Sequence, residues 1–344
     1  MKIAILSRPG DCFPNIISIG LSNMLTQLKK EHKIFYDAIP FLMRLLPLTE
    51  KPRHWSNSFQ FRIRNKIKYY NHDKKFLKEL KEYDIFILSE CVPNAFWKNY
   101  LAIETFKKAV KNKPVLCYLD AYLENAPRHK KMLLDDKDAG ISRYNFNLCP
   151  SPVTEITNAD RSNWSAIGID LTKSDLSPVK KKEFIAVLDF SQPGYEVQRQ
   201  QQQKALQKLN IKTIALEGRY KIEEIRKIYR EASVFFLSFP ETFGLPIAEC
   251  LACGTKIFTP ESGWPMSWRL NKNPESWANG ELPDCFTVYD NEDDLVNQLQ
   301  KMRDSYDLEK SPQLVFNTFI NHYSTFYYGD VNALQVVLDK FEKN

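Results

Sequence analysis

The sequence predicts an α/β protein made of two successive parallel-sheet domains. Three observations carry this. Short apolar runs alternate with amphipathic helical stretches, a polar segment near the middle interrupts the alternation, and the alternation then restarts. At 344 residues, 43% hydrophobic and 26% charged, the chain is long enough for two domains and too apolar for intrinsic disorder.

Taken in order, Lys2 to Leu6 reads as a first buried strand, too short for a signal-peptide core. A helical pattern follows near Ile16 to Lys30, and Lys33 to Ala38 reads as a strand. Phe41 to Leu48 is apolar but broken by Arg44 and Pro47, far short of the ~18 residues of a membrane span. Residues 57–82 read as one helix or two, with Phe59, Ile63, Ile67, Tyr70, Leu77 and Leu80 near helical spacing. Tyr83 to Leu88 is a strong strand, and Pro93-Asn94 opens a helix through Val110. Pro114 to Leu119, Tyr144 to Cys149 and Ser165 to Ile169 read as further strands.

Residues 172–183 turn to Lys, Ser, Asp and Pro and read as an interdomain linker. Strands follow at Phe184 to Leu188, Ile211 to Leu216, Val234 to Leu237 and Lys256 to Thr259, with helices at Val197 to Leu209, Ile222 to Glu231 and Pro246 to Ala252. Gln200 to Gln203 read as the solvated face of their helix. Two such domains make a cleft, and open α/β sheets take ligands at the carboxyl ends of their strands.

Several chemistries lose their usual signature. No two of the eleven glycines stand two apart, so there is no G-x-G-x-x-G, and none opens a Gly-Lys-Ser or Gly-Lys-Thr loop. H-E-x-x-H and G-x-S-x-G are absent too. The seven cysteines are odd in number and scattered, which fits reduced thiols in a cytoplasm. Cys250 and Cys253 form a C-x-x-C without a second pair or a neighbouring histidine, so no metal site is expected.

The segment that carries chemistry is Ser238-Phe-Pro-Glu-Thr-Phe-Gly-Leu-Pro-Ile-Ala-Glu-Cys-Leu-Ala-Cys-Gly-Thr-Lys-Ile-Phe258, read as strand, tight loop, helix, loop, strand. Gly244 lets backbone approach a ligand, Pro246 suits a first helical turn, and the amides around Phe243 to Leu245 point from a helix N-terminus. Glu241 before the helix and Glu249 inside it can accept hydrogen bonds from two hydroxyl-rich parts of one ligand.

Here the sequence resembles the retaining glycosyltransferases of family GT4, the glycosyl transferases group 1. Glu241 and Glu249 match that family's E-x7-E, with Phe-Gly-Leu-Pro between them and Ala-Cys-Gly after. Glu224 to Phe236 resembles the helix-and-strand lead-in, and Ile167-Gly168-Ile169-Asp170 resembles the Gly-Val-Asp that closes the first domain, so the likeness spans roughly 167 to 260.

The resemblance implies a GT-B fold, two Rossmann-like domains facing each other across a cleft. It assigns 1–171 to an acceptor-binding domain and 184–325 to a nucleotide-sugar-binding domain, with a C-terminal helix in 326–344 that packs back on the first. It implies retaining transfer from a UDP- or GDP-sugar to a glycan or lipid-linked acceptor, with the nucleotide-sugar as substrate and neither metal nor cofactor. By position, Glu241 would hold the donor sugar and Glu249 the ribose. Thr242, Phe243, Gly244 and Leu245 would line the sugar and diphosphate, Gly218, Arg219, Tyr220 and Lys221 would meet the base, and Gly10 would sit in the first βα loop facing the cleft.

The chain departs from the family in two places. Phe190 to Arg199 lacks the Gly-Arg…Glu-Lys-Gly that binds the diphosphate, leaving Arg199, Lys204, Arg219 and Lys221 as candidates with Arg199 preferred. Where the family often carries a histidine, this chain has Asp120, which could accept a proton or a hydroxyl hydrogen bond.

Charge is local. Between Lys51 and Glu82 ten Lys or Arg stand against three acids, while the whole chain carries +6. Arg62, Arg64, Lys66, Lys68, Lys74 and Lys75 belong to this stretch, which reads as a helix packed on its domain, as an anionic membrane surface contact, or as a dock for an acidic acceptor glycan. A cytoplasmic protein, peripheral on the inner face of the membrane, fits these features, and the family resemblance implies surface polysaccharide or lipopolysaccharide synthesis. The alternatives are a non-catalytic sugar- or nucleotide-binding GT-B protein and a metal-dependent transferase using Asp136-Lys137-Asp138. Nucleic-acid binding through the basic stretch leaves the Glu241–Glu249 segment unexplained, so no nucleic-acid partner is expected.

Overall fold

The computed structural model describes residues 1–8, 10, 13–45, 59–89, 101–118, 141–152, 162–270 and 280–342. They fall into two compact units, Met1–Asp170 with Gly329–Asn344, and Leu171–Tyr328.

The first unit holds β1 (Lys2–Leu6), β2 (Glu31–Phe35), β3 (Ile85–Ser89), β4 (Val115–Tyr118), β5 (Phe146–Cys149) and β6 (Trp164–Ala166). All pair in parallel, in the order β2-β1-β3-β4-β5-β6. β3, β4 and β5 are buried along their whole length, which is why their sequences are mostly apolar, Ser89 and Asn147 being the buried polar exceptions. The helices are α1 (Phe13–Gln27), α2 (Ala38–Leu45), α3 (Phe59–Leu80) and α4 (Leu101–Ala109).

The basic stretch forms one continuous helix, α3. Its spacing is not wholly a packing stripe: Phe76 and Leu80 are buried, but Ile67 is 72% and Tyr70 65% exposed. Arg44, which breaks the apolar run of α2, pairs with Asp73 of α3 at 2.6 Å and lies over the Tyr69 ring.

The second unit holds β7 (Ile185–Leu188), β8 (Lys212–Ala215), β9 (Val234–Phe236), β10 (Lys256–Thr259) and β11 (Phe286–Val288), parallel in the order β11-β10-β9-β7-β8. Its helices are α5 (Glu196–Lys208), α6 (Ile222–Glu231), α7 (Leu245–Ala252), α8 (Glu292–Ser305), α9 (Lys310–Tyr323) and α10 (Thr325–Tyr328). Leu188, Leu206, Phe236, Phe258, Leu295 and Leu299 close one side of the sheet. From β7 the chain steps outward to β8, then crosses to β9 on β7's other side. The connections therefore diverge between β7 and β9, and this switch point is where such sheets open a crevice. In the first unit the same divergence falls between β1 and β3.

Residues 172–183, read as a linker, lie inside the second unit, and Lys181 is buried there. Its ammonium donates to the carbonyls of Arg230 (2.8 Å) and Cys253 (3.0 Å), at the ends of α6 and α7 where unpaired carbonyls collect. Burial lowers its pKa to about 8.

Past Tyr328 the chain rejoins the first unit as α11 (Val331–Glu342), which packs on α1 and β6 and pairs Glu342 with Lys30 at 2.5 Å. No helix among the described residues is long and apolar enough to cross a membrane.

Candidate functional site

The Ser238–Gly244 loop leaves the carboxyl end of β9, at the switch point, and runs into α7. A second loop holds it in shape. Glu241 N–H donates to Trp264 O (2.9 Å), Met266 N–H to Glu241 O (3.3 Å), and Ser267 N–H to Thr242 O (2.9 Å). Phe243 is fully buried, stacked on Trp268 with ring centroids 5.6 Å apart, and the Trp268 indole N–H donates to Phe243 O at 2.5 Å. The phenylalanine is thus an anchor: its side chain faces the core, and only its backbone is left for a ligand. Gly244 has φ +66°, and a Cβ there would meet Ile247 Cδ1 at 2.8 Å, so the turn requires glycine. Glu241 and Thr242 are buried beneath the turn.

Glu249 lies in the second half of α7 and is also buried. Arg226 of α6 donates to its Oε1 twice, from Nε at 2.8 Å and Nη2 at 2.6 Å, and a third bond runs from Arg226 Nη1 to Ser174 O at 3.3 Å. Burial raises the Glu249 pKa, and Arg226 opposes the rise. Sequence reasoning did not single out Arg226. The signal was available, because an arginine three residues before the buried Tyr229 shares its face of α6, and a charge on a buried face needs a partner.

A second polar group lies at the ends of β7 and β9. Asp189 follows β7 and is buried; Phe190 N–H donates to its Oδ1 at 2.7 Å. Burial pushes this carboxyl up to about 7, against that bond and the Arg199 guanidinium. Arg199 Nη1 donates to the Asp189 carbonyl and lies 3.5 Å from Ser238 Oγ. Its Nη2 is buried with no partner among the described residues. Gln202 corrects the expectation of a solvated glutamine face. It is fully buried, donating to Leu237 O at 2.7 Å and to the Tyr289 hydroxyl at 2.9 Å. These bonds lie at the ends of β9 and β11, so a polar side chain here costs little.

The Gly218–Lys221 loop follows β8 beside this group. Gly218 has φ +75°, Tyr220 packs on Phe190 with centroids 6.0 Å apart, and Arg219 is exposed. Lys221 caps α6, its N–H donating to Glu224 Oε2 at 2.9 Å. Lys204 is exposed on α5. The second unit therefore places Gly218 to Lys221, Arg199 and Glu241 to Leu245 near the carboxyl ends of its strands, with Glu249 further along α7. Gly10 belongs to the first unit, exposed at φ +101° with its carbonyl accepting from Asn15 Nδ2 at 2.9 Å. Asp120, the Arg62 side chain and Asp136–Asp138 lie outside the described residues. Arg64, Lys68, Lys74 and Lys75 are exposed on α3, and Lys66 is half-buried.

Among the described residues no three of His, Cys, Asp and Glu come together as a metal site. Cys250 and Cys253 are buried free thiols, and burial raises both, Cys253 to about 12, which leaves them unreactive.

Two Rossmann-like parallel-sheet domains in one chain make this a GT-B fold, and the fold is shared with solved glycosyltransferases. HepE of Anabaena, solved with UDP and glucose, is 12% identical with a TM-score of 0.52, both chains covered in full. An α-glucosyltransferase solved with UDP and a DNA 13-mer is 10% identical at TM-score 0.56, covering 99% of this chain and 100% of that one. The catalytic domain of starch synthase IV from Arabidopsis thaliana, bound to ADP and acarbose, is 11% identical at TM-score 0.56, covering 100% and 99%. No protein-family model matches the chain, nor does any curated protein.

Proposed function

We propose that this chain is a retaining, GT4-like glycosyltransferase that moves a sugar from a nucleotide-sugar to a glycan or lipid-linked acceptor without a metal. The observation that carries this is the placing of Glu241–Leu245 at the carboxyl end of β9, at the switch point of the second sheet, with Glu249 in the helix that this loop opens. HepE and starch synthase IV, which share the fold, were solved holding nucleotides. In this reading Glu241 holds the donor sugar near the reacting carbon, Glu249 holds the ribose, and the Gly244 and Leu245 amides face the diphosphate. Arg199, whose Nη2 is uncommitted among the described residues, is the cation placed to steady charge on the leaving group.

Calorimetry with UDP, GDP, ADP and their sugar conjugates, in EDTA, tests the donor site. One nucleotide is expected to bind, and Glu249→Ala to weaken it about tenfold or more, the value of a charged hydrogen bond. Binding that needs added magnesium would favour the Asp136–Asp138 alternative, and no binding at all would end the transferase reading.

The acceptor side of the proposal is a peripheral site on the cytoplasmic face of a membrane, in surface polysaccharide or lipopolysaccharide synthesis. It is supported by the exposed α3 face, where Ile67 and Tyr70 stand among Arg64, Lys68, Lys74 and Lys75. Vesicles containing anionic lipid are expected to bind the chain. Reversing Lys68, Lys74 and Lys75 to Glu should weaken this more than tenfold, at roughly 1 kcal/mol per charge removed, with nucleotide binding intact. Equal sedimentation with neutral and anionic vesicles would remove the membrane from the proposal.

A further inference from the structure

The geometry points to Arg226 as a positioning residue for the donor. It holds Glu249 turned so that one oxygen is fully engaged and the other faces the nucleotide's ribose. The inference rests on the donor site proposed above.

Both bonds from Arg226 converge on Oε1, at 2.8 and 2.6 Å, and Oε2 takes no bond among the described residues. A forked guanidinium more often spans both oxygens of a carboxylate. Convergence on one atom leaves the second as the acceptor, which is what a vicinal diol needs. The arginine is itself held, since Nη1 reaches Ser174 O at 3.3 Å, in the segment that joins the second unit ahead of β7. Three features thus fix one rotamer: α6 beneath the arginine, α7 beneath the glutamate, and the Ser174 carbonyl behind. Both side chains are largely buried, with 13% and 5% of their surface exposed, so the pair has little freedom to re-form elsewhere. A buried carboxylate without such a partner takes up a proton, and a protonated, freely turning acid is a poor ribose acceptor. Arg226 touches neither the sugar nor the diphosphate in this arrangement, and it acts through Glu249.

The test compares UDP, GDP and ADP with their 2′,3′-dideoxy counterparts, titrated into the full chain and into Arg226→Met and Arg226→Lys. In the parent, the cognate nucleotide is expected to bind about tenfold or more tighter than its dideoxy form. Arg226→Met should weaken the nucleotide but not the dideoxy form, bringing their ratio close to one. Arg226→Lys, which keeps the charge, should restore part of the preference. A merely structural arginine would weaken both forms alike and leave their ratio unchanged, and that result overturns the inference. A parent that binds nucleotide and dideoxy form equally also overturns it, while leaving the donor site standing. A parent that binds no nucleotide overturns the donor site and the inference with it. Should Arg226→Met fail to fold, the ratio in Arg226→Lys decides, because a single-pronged lysine still lowers it if orientation matters.

Discussion

A Gly254→Ala chain is expected to be less stable than its parent by about 3 kcal/mol or more, and Gly218→Ala by only about 1–2 kcal/mol. Both glycines sit at positive φ, +72° and +75°, so both substitutions meet the same conformational penalty. Their surroundings differ. A Cβ on Gly218 meets nothing within 4 Å, whereas one on Gly254 falls 2.3 Å from Pro312 O and 2.6 Å from Pro312 Cα. That neighbour is backbone in the first turn of α9, and it cannot step aside alone. Val315 and Phe319 of the same helix are buried in the second unit's core. Gly254 follows the end of α7, its N–H donating to Leu251 O at 3.0 Å, so the strain would reach the helix that carries Glu249. Urea unfolding of the two variants beside the parent separates the two costs. Equal losses would mean that α9 moves away without penalty.

An Asp189→Asn chain is expected to gain stability over its parent as pH rises from about 4 to 7, with little difference at the acid end. Burial holds the folded carboxyl at about 7, above an unfolded value near 4. Below pH 4 both states are protonated and the group contributes its full stability. Between 4 and 7 the unfolded chain releases its proton while the folded chain keeps it, so that contribution is lost as pH rises through the folded value. A separation of about three pH units corresponds to roughly 4 kcal/mol. The variant keeps the Oδ1 that accepts from Phe190 N–H, so the backbone bond at the end of β7 survives. The Arg199 guanidinium favours the carboxylate and trims the gain. Urea midpoints taken from pH 4 to 8 for both chains give the difference directly. A constant difference would mean that Asp189 ionises in its ordinary range inside the fold.

Much of the fold was legible because of how parallel sheets are buried. β3, β4, β5, β7 and β9 are buried along their length, so each is dominated by apolar residues, and each reads as a strand in the sequence. The polar segment 172–183 misled, because a buried lysine capping two helix ends looks, in sequence, like a solvated one. Gln202 misled in the same way. Its neighbours Gln203 and Lys204 are exposed, and nothing local separates it from them. Ile67 and Tyr70 erred in the opposite direction, since helical spacing on α3 reports periodicity and not which side meets the domain.

The candidate site divides along the same line. The loop and helix around Glu241, Gly244 and Glu249 depend on residues adjacent in the chain, such as glycine at a positive-φ turn and proline in a first helical turn, so the sequence determined them. The tertiary structure decided which charges meet. Arg226 lies 23 residues before Glu249, and Asp189, Arg199 and Ser238 come from three separate elements. A local pattern records what each residue prefers. Whether a buried charge is matched depends on which strands end side by side, and only the order β8-β7-β9 of the folded sheet supplies that.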